Sequence, residues 1–137
     1  FKANTNDTRE SAAITICKDL IEEGAVLSIH DPKVDTFQIE KDLGIKSSVN
    51  SEDPLTDKTF DIKGVWNYAK TTDESLSGSD ASIILTEWKE YENIDWLKAK
   101  KIMRSPSWIF DARSIVNTNE VKNAGLNLWR IGDGSQI

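Results

Sequence analysis

Residues 7–32 decide the fold: Asp7-Thr8-Arg9-Glu10-Ser11-Ala12-Ala13-Ile14-Thr15-Ile16-Cys17-Lys18-Asp19-Leu20-Ile21-Glu22-Glu23-Gly24-Ala25-Val26-Leu27-Ser28-Ile29-His30-Asp31-Pro32. Asp7 and Glu10 have the spacing of a capping box, and Ala13, Ile16, Cys17, Leu20 and Ile21 then recur at helical intervals. Gly24 suits the left-handed residue that closes a helix. Directly after it, Ala25 to Ile29 is a β-prone run that stops at His30, Asp31 and Pro32. A helix feeding a short buried strand is the repeating unit of an α/β domain.

The rest of the chain repeats that alternation. Val34 to Leu43 carries a weaker helical pattern, and Ser47 to Asp57, with Pro54, is polar and predicts an exposed loop. Val65 to Tyr68 predicts a strand, Thr72 to Leu76 a short helix entered from Thr71, and Ala81 to Thr86 an apolar strand ending at Glu87 and Trp88. Asp95 to Met103 predicts a helix and Ser107 to Phe110 a strand closing on Asp111. Asn117 with Glu120 opens a last helix that ends at Gly125, before a final strand from Leu126 to Ile131. Short strands that are apolar almost throughout are covered on both faces, which predicts an α/β domain with a mostly parallel sheet. Ligands of such sheets bind beyond the carboxyl ends of the strands, where this chain offers Lys2, Asp31, Thr86, Glu87, Asp111 and Arg113.

The chain has 137 residues, the size of one domain over residues 1–137, and its 38% hydrophobic and 29% charged residues are a globular composition. No apolar run approaches the ~20 residues of a membrane span. The net charge of −6 argues against non-specific binding to nucleic acid or to anionic membranes, so any anion site has to be built locally. Cys17 is the single cysteine and His30 the single histidine, which leaves no disulfide and no conventional zinc site, and points to a reducing, cytoplasmic setting. Phe1 is neither an initiator methionine nor part of a signal segment, and the start reads as a cut inside a longer protein.

The opening segment Phe1-Lys2-Ala3-Asn4-Thr5-Asn6-Asp7-Thr8-Arg9-Glu10-Ser11 resembles the F-K-x-x-T-x-D-x-R-E-S signature of the UDP-glucose/GDP-mannose dehydrogenase family. Asp31-Pro32-Lys33-Val34, Leu85-Thr86-Glu87-Trp88 and Phe110-Asp111-Ala112-Arg113 agree with it in order and spacing, and look most like the UDP-glucose branch. The resemblance implies a Rossmann-like three-layer α/β/α domain, the carboxyl-terminal, UDP-binding domain of an oxidoreductase that converts UDP-glucose to UDP-glucuronate with NAD as cofactor, through a cysteine in a Gly-rich motif upstream. It implies that NAD is bound mainly by an amino-terminal domain. It also implies a central dimerisation region, a homo-oligomer, and a first sheet strand ending at Phe1 and Lys2 whose earlier residues are missing here.

By the same resemblance, the backbone at Phe1 and the side chains of Lys2 and Arg113 contact substrate, and Arg9 lies near the cofactor. A pyrophosphate needs localised donors, and an arginine fork can bind its oxygens in bidentate fashion. Ala112 stands where the family usually has glycine, and Asn6 where it often has glycine or aspartate. Cys17 falls on the apolar stripe of the first helix, outside any nucleophile motif, and reads as an inert buried thiol. His30 reads as structural, Trp88, Trp96 and Trp108 as core or interface residues, and Asp31 and Glu87 as residues able to orient loops. The competing readings are a related nucleotide-sugar dehydrogenase acting on UDP-N-acetylmannosamine or GDP-mannose, a phospho-receiver-like signalling module, and an oligomerisation module.

Overall fold

The computed structural model describes residues 12–48 and 63–131. Helix α1 (Ala12–Glu22) buries Ala13, Ile14 and Ile21 and leaves Cys17 half-buried. Its buried stripe thus includes Ile14, one position off the expected set. Gly24 takes φ 95°, the left-handed turn that sends the chain into β1 (Val26–Ile29). The region read as weakly helical resolves into α2 (Thr36–Leu43), capped by the Asp35 carboxylate on the Gln38 N–H and closed by left-handed Gly44. Ser47, expected in an exposed loop, is fully buried instead. Its N–H bonds the Glu40 carboxylate, and the Ser48 N–H bonds the Trp66 carbonyl, so this part of the polar stretch is drawn onto the sheet. The remainder of that stretch lies outside the described residues.

Strand β2 (Val65–Tyr68) and α3 (Thr72–Leu76, N-cap Thr71) have the expected limits. Strand β3 (Ala81–Ile84) is shorter than the apolar run, because Leu85 and Thr86 already leave the ladder. A 3-10 turn at Lys89–Asn93, absent from the sequence expectation, precedes α4 (Trp96–Ile102, N-cap Asp95). Strand β4 (Trp108–Asp111), α5 (Thr118–Asn123, N-cap Asn117) and β5 (Asn127–Arg130) complete the order, each within a few residues of its expected ends. Each of the four side-chain caps satisfies an orphan helix N–H and contributes roughly 1 kcal/mol.

Among the described residues all strand pairs are parallel, as expected, and they form two sheets: β1 pairs β2, and β3-β4-β5 form the other. Ala25 and Ile29 carbonyls accept from β2, so Val26, Ser28 and His30 turn their backbone groups to the opposite edge. On that edge the Ser75 hydroxyl donates to the Ser28 carbonyl at 2.8 Å and the Tyr91 hydroxyl to the His30 carbonyl at 3.0 Å. The expected first strand, ending at Phe1 and Lys2, lies outside the described residues.

Each sheet has its own core. Helices α1 and α2 pack Ile14, Ile21, Ile39 and Leu43 around Trp66, with Leu27, Ile29 and Leu85 at its margin. Helices α3, α4 and α5 bring Leu76, Trp96, Ala99 and Val121 onto Ile84, Ile109 and Leu128. The opposite face of the three-stranded sheet is only half-covered. There Trp108 stacks on Phe110 at 5.6 Å and Phe110 meets Trp129 at 6.5 Å, beside exposed Ile83.

Candidate functional site

Parallel strands deliver their carboxyl ends to one rim, and the rim holds most of the polar residues singled out in the sequence. Two of its loops are wound around a buried aspartate. Asp31, 1% exposed, accepts the N–H groups of Lys33 at 2.8 Å and Val34 at 3.1 Å, and the Trp88 indole N–H at 3.3 Å. Burial pushes its carboxyl above the usual range, and those three donors pull the other way. Asp111, fully buried, accepts the N–H groups of Arg113 at 3.0 Å, Ile115 at 2.8 Å and Val116 at 2.9 Å, with Arg130 Nε at 3.6 Å. The turn needed for those convergent donors places Ser114 at φ 59°, a left-handed conformation that costs a non-glycine residue about 1 kcal/mol.

Arg113 is thereby held at its backbone while its side chain stands 43% exposed at the end of β4. Its Nη2 pairs with Oε1 of Glu87, which follows β3 and is itself 49% exposed. Phe1, Lys2 and Arg9, the other expected contacts, lie outside the described residues, so the rim brings together Arg113 and Glu87 from the expected set.

His30, read as structural, directly follows β1 and packs against Tyr91. The Tyr91 hydroxyl donates to the His30 carbonyl at 3.0 Å and lies within hydrogen-bond distance of His30 Nδ1 at 2.9 Å. The other ring nitrogen, Nε2, lies 3.8 Å from the Glu90 carboxylate. Burial lowers the imidazole pKa from 6.5, against the pull of Glu90 and Asp31. Tyr91 is pushed well above the usual phenol range by burial, and Tyr68 is raised for the same reason while its hydroxyl bonds the Asp31 carbonyl at 3.2 Å. Sequence reasoning missed both tyrosines. Tyr91 is 61 residues from His30, in a turn with no periodic signal, and nothing local could have announced the pair.

The residues present do not fit a dinucleotide at the β1 to α2 turn. The N–H groups of Lys33 and Val34, which a phosphate would need there, are already taken by the Asp31 carboxylate. Among the described residues, no group of three or more His, Cys, Asp or Glu side chains could hold a metal ion. The Cys17 thiol is raised by burial to about 11, which keeps it protonated and unreactive at neutral pH.

The chain is similar to UDP-glucose 6-dehydrogenase 4 of Arabidopsis thaliana, at 37% identity over 134 residues, 96% of this chain and 28% of that protein. It is 36% identical over 132 residues to UDP-glucose 6-dehydrogenase of Drosophila melanogaster, covering 96% of this chain and 26% of that protein. UDP-glucose 6-dehydrogenase 2 of Oryza sativa subsp. japonica is 33% identical over 134 residues. The chain thus spans between a quarter and a third of the length of these relatives. The family pattern described as UDP-glucose/GDP-mannose dehydrogenase family, UDP binding domain, matches residues 1–118. With a parallel α/β scaffold, an arginine at the strand-end rim and this match over most of its length, the chain belongs to the UDP-glucose/GDP-mannose dehydrogenase family, as its UDP binding domain.

Proposed function

We propose that residues 1–137 form one domain that holds the UDP part of UDP-glucose, in an NAD-dependent oxidoreductase making UDP-glucuronate. The observation that carries this reading is the half-exposed Arg113 guanidinium, rooted on Asp111 at the rim. A guanidinium there offers a fork of donors to a pyrophosphate in a protein whose net charge of −6 gives no general attraction for anions. In this reading the Phe1 backbone and the Lys2 side chain are further substrate contacts, and Arg9 reaches toward the cofactor. In this reading NAD is held mainly by an amino-terminal domain and the nucleophile is a cysteine of a preceding region, the thiol of Cys17 being half-buried and protonated.

Isothermal titration of UDP into the intact protein and its Arg113→Ala and Lys2→Ala variants tests the reading. Each variant should lose roughly 1.5–3 kcal/mol of affinity, the range for hydrogen bonds to charged groups. Wild-type affinity in both would move the site elsewhere. We also propose a cytoplasmic homo-oligomer. The half-covered face of Ile83, Trp108, Phe110 and Trp129 supports a further packing surface, and no helix among the described residues is long and apolar enough to cross a membrane.

A further inference from the structure

Glu87 and Arg113 face each other because β3 and β4 are adjacent and in register, with Ile84 opposite Asp111, so the loops leaving the two strands rise side by side. Both backbones are anchored. Glu87 lies between Thr86 and Trp88, which are 6% and 5% exposed, and Trp88 is tied to Asp31. Arg113 donates its N–H to Asp111 just before the left-handed turn at Ser114. Two fixed backbones therefore present an arginine and a carboxylate to one another, and both side chains remain close to half-exposed.

A pair that open to solvent is held weakly. A phosphate group offers the guanidinium more negative charge and a matching fork, and can take it from the carboxylate. Once it has done so, Glu87 stands beside the bound anion with the same sign of charge and opposes it.

We propose that Glu87 is a built-in counter-ion of Arg113, which occupies the guanidinium while the domain is empty and is displaced by the phosphates of the incoming ligand. The proposal rests on the reading of Arg113 as a phosphate contact. Glu87 then sets the affinity of the site by acting through Arg113, without touching the ligand. Glu87→Gln keeps the size and a hydrogen-bond acceptor but removes the charge, so its effect has to follow the charge of the ligand.

The test is calorimetric titration of UDP, UMP and uridine into the intact protein, its Glu87→Gln and Arg113→Ala variants, and the double variant. Glu87→Gln should tighten UDP about two- to fivefold, the range set by a weakly held pair, and UMP by less. Uridine should be unchanged, and the gain should vanish when Arg113 is also alanine. Weakening of UDP by Arg113→Ala, with no gain in Glu87→Gln, overturns the counter-ion role and leaves the phosphate contact standing. An Arg113→Ala variant that binds UDP like wild type removes the phosphate contact itself, and the counter-ion with it. A Glu87→Gln gain that is equal for uridine and UDP also overturns the proposal, because a loop rearrangement without charge coupling would produce it.

Discussion

Trp88 donates its indole N–H to the Asp31 carboxylate at 3.3 Å, joining the loop after β3 to the loop after β1 although the two strands belong to separate sheets. Asp31→Ala would leave that indole and the Val34 N–H without their acceptor in a buried place, and the Lys33 N–H in a partly buried one. The expected loss is about 2–4 kcal/mol, with a smaller loss for Asp31→Asn, which keeps one acceptor oxygen. Urea denaturation measures it. Stability within about 0.5 kcal/mol of wild type for Asp31→Ala would contradict the hub, since that is the range of ordinary surface substitutions.

Gly64 sits where β2 begins against Ala25, and a Cβ added there would lie 1.8 Å from the Ala25 carbonyl oxygen. That atom is backbone and cannot swing aside. Gly64→Ala should cost about 1–3 kcal/mol or more, read as a lowered Tm and a lower urea midpoint. A neutral effect would mean that the chain approaches β1 differently at this point.

His30 titrates in a window set by its lowered pKa. Burial keeps the folded imidazole neutral at a pH where the unfolded one, near 6.5, already binds a proton. The stabilising contribution is complete above 6.5 and is lost as pH falls from there through the folded pKa. Glu90 and Asp31 limit the loss without reversing its sign, and Tyr91 also faces the ring. Denaturation series between pH 7.5 and 5 should show a stability decline that His30→Gln reduces. If the two slopes coincide, the imidazole is not the titrating group.

The pKa of Cys17, raised from 9.0 to about 11, lowers the thiolate fraction at pH 8 about a hundredfold. The thiol should therefore react about a hundred times more slowly than a free cysteine with an alkylating reagent in the folded chain, and at the ordinary rate in denaturant. NADH production from UDP-glucose in the intact protein should be untouched by Cys17→Ser. Lost turnover in a variant that stays folded would make this thiol the nucleophile.

Much of this fold was legible because its signals are local. Asp35, Thr71, Asp95 and Asn117 each bond the N–H three residues on, and spacing within one turn is what a sequence displays directly. The apolar runs at β2 and β3 likewise marked strands, although only Trp66 and Ile84 among their residues are buried. Arg113 could be singled out from its place after a strand and its motif, but its partner Glu87 is 26 residues away and was readable only as a possible loop-orienting residue. The Tyr91 and His30 pair, and the burial of Ser47, depend on loops folding back from distant positions, and no periodicity encodes that.

The hydroxyl and indole bonds across the sheet division have a thermodynamic consequence. Backbone ladders open cooperatively, whereas isolated side-chain bonds can be exchanged for water one at a time. Among the described residues, the cluster around Trp66 and the cluster around Ile109 are therefore free to open at different free energies. Native-state hydrogen exchange would read this at the Ala69 amide, bonded to the Ile29 carbonyl, and at the Ala112 amide, bonded to the Ile84 carbonyl. Distinct protection at the two amides marks two subglobal units. A ligand bound across the rim would raise both and draw them toward one value.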